Sequence, residues 1–192
     1  MKRTIKRTFL GLMILAGTIM VAYVIFKTNT KSFSPEETVT FPVDELTLEV
    51  FYNRPYKKDR EIFGGLVPYG EVWRTGANEA TTFFTDQEIL VDGSQLAAGT
   101  YTLWTIPNEN SWKVIFNSKL YPWGITPDGQ PSREAEFDVL TIEVPVIKLD
   151  QPVEQFTIDF EHTHDFILMT MAWDKTMVEI PIKDLSKVDK IS

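Results

Sequence analysis

The chain has 192 residues, of which 43% are hydrophobic and none is cysteine, so disulfides, thiolate metal sites and cysteine nucleophiles are all excluded. Beyond residue 27 it carries 14 Lys and Arg against 27 Asp and Glu, a net charge of −13. Nucleic acid and anionic lipid headgroups repel so acidic a surface, and neither is expected as a partner of this region.

Residues 9–26 (FLGLMILAGTIMVAYVIF) form an uncharged run long enough to cross a hydrocarbon core of about 30 Å as a helix. Lys2, Arg3, Lys6 and Arg7 lie in a basic tail (1–8) before it, and Lys27 and Lys31 follow. That asymmetry predicts a cytoplasmic amino terminus and an extracytoplasmic remainder, periplasmic or on the cell surface, tethered by a single-pass signal anchor. A cleaved leader, giving a secreted protein, is the alternative reading of the same pattern. Tyr23, Val24, Ile25, Phe26 and Lys27 offer no small-x-small cleavage site, which favours the anchor.

Residues 28–44 are rich in Thr, Ser, Pro and Glu and read as a linker. From residue 45 to 183 the dominant hydrophobic period is two, as in the Leu46, Leu48, Val50 series and through residues 100–106. Further strands are expected at 81–85, 88–91, 112–117, 139–147, 155–160, 166–173 and 177–182, separated by turns that include Asp92-Gly93, Asp150 to Pro152 and Asp174-Lys175. No helical stripe interrupts them. The expected architecture is all-β, an antiparallel β-sandwich of jelly-roll-like or similar form after one transmembrane helix, closed by a short tail at 184–192.

The stretch 51–82 (FYNRPYKKDREIFGGLVPYGEVWRTGANEATT) mixes glycines, aromatics and isolated polar groups in a way no ordinary surface loop requires. A binding reading makes Arg74 a fork for a carboxylate or for sugar hydroxyls and Glu79 an acceptor or acid/base group. Trp73, Tyr52 and Tyr69 form a stacking wall in that reading, with Arg54 and Asn78 as further ligand-binding residues. The structural alternative pairs Arg74 with Glu79 across a tight turn, gives Gly76 a positive φ and has Asn78 close the turn onto backbone. Tyr52, Arg54 and Tyr56 alternate and share one strand face.

His162 and His164 form an H-x-H beside Asp159, Glu161 and Asp165, a weak metal candidate because zinc requires three or four ligands. A solvated hairpin tip fits the segment better than a metal site does. The glycines match no phosphate-binding loop, no nucleophile elbow or HExxH is present, and no cofactor is expected.

The runs IFGGLVPYGEVWRTGANEATT, ILVDGSQLAAGTYTLWTIP, WKVIFN and VEIPI, spread over residues 45–183, resemble the bacterial family catalogued as domain of unknown function 2911. The resemblance implies an exported, largely β protein, in many members with a cleaved leader, and implies no activity. The leading expectation is a non-enzymatic extracytoplasmic module that binds a small polar or carbohydrate-like ligand. Two rivals accompany it: a hydrolase using Glu79 or His162/His164, and a structural partner-binding module without a pocket.

Overall fold

The computed structural model describes residues 2–164 and 166–185, and the chain divides into two units between Phe33 and Ser34. The first unit is helix α1, Lys2–Phe33, whose segment Lys6–Phe33 is long and apolar enough to cross a membrane. A signal sequence meets the same test. The helix continues past the end of the apolar run, and there its hydroxyls bond back onto its own carbonyls: Thr28 Oγ1 donates to Val24 O at 2.9 Å and Ser32 Oγ to Asn29 O at 2.7 Å. Pro35 then stops it, since the residue before a proline is disfavoured in helical geometry.

The second unit is built of strands: β1 Glu36–Val43, β2 Leu46–Asn53, β3 Thr82–Thr85, β4 Ile89–Val91, β5 Ser94–Leu96, β6 Gly99–Pro107, β7 Ser111–Asn117, β8 Asp138–His162 and β9 Ile167–Asp184. The expected linker is therefore largely structured. Its first part belongs to α1, and its second part is β1, where Glu37, Val39, Phe41 and Val43 alternate inward behind a run of Glu, Thr and Pro that resembles a spacer. Of the expected tail, Asp184 ends β9, and residues 186–192 lie outside the described residues.

Pairing among these strands is antiparallel and runs β1-β2-β3-β6-β7-β8-β9-β4-β5, leaving the sheet open at β1 and β5. The long β8 joins two layers. Its first part pairs with β7 (Trp112 with Val144) and its later part with β9 (Ile158 with Met171). The turns expected at Asp150 to Pro152 and at Asp174-Lys175 are instead irregularities inside β8 and β9: register shifts fall between Lys148 and Thr157, and Asp174 takes φ 52°. A bulge carries the same Asp, Gly and Pro punctuation as a hairpin, so the two share one sequence signal.

Side chains from the two layers interlock. Phe41 of β1 stacks on Phe160 of β8 with ring centroids 5.6 Å apart, and Tyr52 of β2 meets Phe156 of β8 edge-on at 5.8 Å. Tyr52 is fully buried; Ile158 N donates to its hydroxyl at 2.9 Å, and the hydroxyl faces Glu37 Oε2 at 3.0 Å.

Burial is the main cause that holds the Tyr52 phenol well above its ordinary ionisation range. The unfolded chain, by contrast, loses this proton near pH 10. Between those limits the native state binds more protons than the unfolded one, so stability is intact below pH 10 and falls as pH rises above it, by about 1.4 kcal/mol per pH unit for one such group. Alkaline urea titrations of the full chain in detergent micelles are expected to display that slope. Tyr52→Phe should reduce it while costing about 1–3 kcal/mol at neutral pH, because it leaves the Ile158 N–H unpaired.

Candidate functional site

Trp73 and Thr81 both bond to β6, where Trp73 N donates to Thr105 O at 2.7 Å and Leu103 N donates to Thr81 O at 2.8 Å. Residues 74–80 are thus a loop expelled from the sheet between two neighbouring pairing positions. The loop folds back on the end of β2. At Gly76, with φ 147°, a Cβ would lie 2.8 Å from the Asn53 carbonyl oxygen, so only glycine allows that approach. Thr75 and Asn78 also take positive φ, both 55°, and for a β-branched threonine this is a strained conformation. The surroundings hold it there: Thr81 Oγ1 donates to Thr75 O at 2.6 Å, and the Thr75 and Thr105 hydroxyls lie 3.1 Å apart.

A second loop covers the first. Gly124 N donates to Asn78 O at 2.9 Å, and Ser132 N donates to Gly124 O at 3.1 Å. Gly124 is not among the glycines with positive φ, so its requirement is for space alone. A Cβ built there would fall 2.2 Å from Arg74 Cδ, 2.8 Å from its Cβ and 3.0 Å from its Cγ. The backbone of the second loop is pressed onto the aliphatic stem of Arg74.

Arg74 is the unusual group. Its Nε is buried with no hydrogen-bond partner, while the residue as a whole is half-buried. Burial alone pulls its guanidinium below the ordinary arginine range, with no neighbouring charge contributing, yet arginine remains protonated. The Arg74–Glu79 pair expected as the structural alternative does not form among the described residues. Glu79 instead accepts from Asn53 Nδ2 at 3.2 Å, and Asn53 Oδ1 accepts from Asn78 Nδ2 at 3.2 Å. Asn78 thus anchors to a side chain rather than to backbone.

The remaining site residues are dispersed. Tyr52 is sealed in the core and supplies no wall to an open cleft. Arg54 pairs with Glu37 at 2.6 Å and donates to Phe156 O at 3.2 Å and to Thr157 Oγ1 at 2.9 Å, and Tyr56 bridges to Gln155. Tyr52 and Arg54 both turn to β8 and form a seam between β2 and β8, while Tyr56, past the end of β2, is exposed. Trp73 is packed between the layers rather than presented to a ligand. Its ring lies 5.0 Å from Phe156 and 6.0 Å from both Phe63 and Trp173, and its Nε1 donates to Gly76 O at 3.1 Å. Tyr69 lies at the surface against Gly64, where a Cβ would be 2.9 Å from Tyr69 Cε2.

His162 and His164 are exposed at the turn between β8 and β9, where Thr163 Oγ1 donates to Phe166 O at 2.9 Å. Among the described residues no group of three or more His, Cys, Asp or Glu is placed to hold a metal ion, and Asp165 lies outside those residues.

Sequence reasoning missed Asn53, Glu37 and Gly124. Gly124 belongs to a Pro- and Gly-rich interval that looks like any long loop. Asn53 and Glu37 carry no local signal, because their partners are distant in the chain.

No curated protein and no solved structure matches the chain. A family model does match it, over residues 34–182, a span that begins with the residue after α1 and takes in every strand, from β1 to most of β9. Its description is "Protein of unknown function", and on that match the chain belongs to the family designated DUF2911.

Proposed function

We propose that this protein is a non-enzymatic, membrane-tethered module whose β domain stands outside the cytoplasm and binds a small polar ligand between the loops around Arg74 and Gly124. The observation that carries the reading is Nε of Arg74, a buried donor without an acceptor. A buried donor left unpaired costs about 1–3 kcal/mol, and more when it belongs to a charged group, and an acceptor supplied from outside the chain would remove that cost. The left-handed Thr75 beside it adds support, because backbone strain collects at ligand clamps. The topology rests on the four basic residues before the apolar run of α1.

A thermal-shift screen of the full chain in detergent micelles against envelope sugars and organic anions tests the binding. Saturable stabilisation that Arg74→Ala abolishes is the expected result. A screen in which every response survives Arg74→Ala would remove the site from consideration. Protease accessibility in intact cells, with amino-terminal sequencing of the mature protein, tests the topology: protection of the β domain, or a start beyond residue 26, would contradict the tether.

A further inference from the structure

We infer that the group received by Arg74 is a planar monoanion, a carboxylate, rather than a tetrahedral dianion or a neutral sugar hydroxyl; this rests on the reading above that Arg74 anchors the ligand. The first argument is charge balance. Other arginines and lysines of the domain are already committed: Arg54 to Glu37, Arg133 to Asp138 and Lys119 to Glu134. Neither a carboxylate nor a second cation acts on Arg74. One buried positive charge is neutralised by one negative charge. A phosphate or sulfate dianion would leave an excess negative charge in a region of net charge −13, which repels it. A neutral hydroxyl could accept hydrogen bonds but would leave the positive charge uncompensated.

The second argument is shape. Gly124 sits over the Cβ, Cγ and Cδ of Arg74, so the stem is covered and held and only the guanidinium end is left for a ligand. The Gly124 N–H to Asn78 O bond fixes the covering loop onto the 74–80 loop. A planar fork at the end of a held stem selects an acceptor with two oxygens in one plane, which is the geometry of a carboxylate. A spherical halide gains nothing from the fork.

The test uses the full chain in detergent micelles at constant ionic strength, with calorimetric titration of acetate, benzoate, chloride, inorganic phosphate, sulfate and galactose. Acetate and benzoate are expected to bind saturably and at least about tenfold more tightly than the other four. Arg74→Met should abolish binding. Arg74→Lys, which keeps the charge and loses the fork, should bind monoanions weakly without preferring carboxylates, and circular dichroism establishes that both variants are folded. Binding of phosphate, sulfate, chloride or galactose as tight as that of the carboxylates, and dependent on Arg74, overturns the carboxylate assignment and leaves the binding site standing. A carboxylate preference retained in Arg74→Lys overturns the fork argument. If no probe binds in a manner sensitive to Arg74, the site itself is rejected.

Discussion

Trp73→Ala is expected to lower the unfolding free energy by about 3–5 kcal/mol, read as a fall in the urea midpoint of the full chain in detergent micelles with little change in slope. The indole is the joint between the candidate loop and the core. It meets Phe63, Phe156 and Trp173 at 5.0–6.0 Å and Trp112 at 6.2 Å, so its loss opens a cavity between layers that cannot easily collapse. It also ties the loop down through the Nε1 bond to Gly76 O. Trp73→Phe separates the two roles: it keeps most of the packing, forfeits the bond to Gly76, and should cost about 1 kcal/mol plus a smaller cavity term. Equal losses in the two variants would mean that the packing argument is wrong. For a domain whose total stability is on the order of 5–15 kcal/mol, that loss is a substantial share of the whole.

That one residue shows where sequence reading succeeds and where it stops. Aromatic content and glycine spacing marked 51–82 as a segment with a special task, and the segment does form the boundary between core and loop. Alternation marked the strands, because a half-buried strand must place every second side chain inward whatever it pairs with. Pairing itself is invisible to such reasoning. Nothing in the order of residues says that Tyr52 finds Ile158 or that Arg54 finds Glu37, and so a wall of a supposed cleft proved to be the seam of a sandwich. The polar edge strand β1 was hidden for a related reason. Its inward residues Val39, Phe41 and Val43 are only half-buried, and its outward ones, Glu36, Thr38, Thr40 and Pro42, are the residues that protect a sheet edge from further pairing and equally the residues of a spacer.

Arg74 was legible as a candidate, and its isolation was not. From sequence, an Arg and a Glu five residues apart around a glycine suggest each other as partners. The structure gives the acid an amide partner, Asn53, from the end of β2 and leaves the base with a glycine backbone on its stem. The deciding quantity was the course of the 74–80 loop. It is set by two adjacent β6 pairings and by Gly76 against Asn53, contacts that span 22 to 32 positions of the sequence.

Gly124→Ala is the substitution that reads this arrangement most directly. A methyl group there meets Arg74 Cδ at 2.2 Å, closer than any real contact, so the arginine stem or the covering loop must move. The expected cost is about 1–3 kcal/mol of overpacking, together with loss of any ligand response, because the stem that aims the fork is displaced. Since Gly124 takes no positive φ, backbone conformation contributes nothing to that cost, and the penalty should reside in the pair. A double-mutant cycle makes this quantitative. In the Arg74→Ala background Cγ and Cδ are gone and only the 2.8 Å approach to Cβ remains, so Gly124→Ala should cost markedly less than in the parent chain. The predicted coupling is at least about 1 kcal/mol, measured from four urea midpoints. Additive losses would mean that the covering loop yields without disturbing Arg74. The cation would then be free to swing into solvent, and the tension between burial and charge on which the binding site depends would not exist.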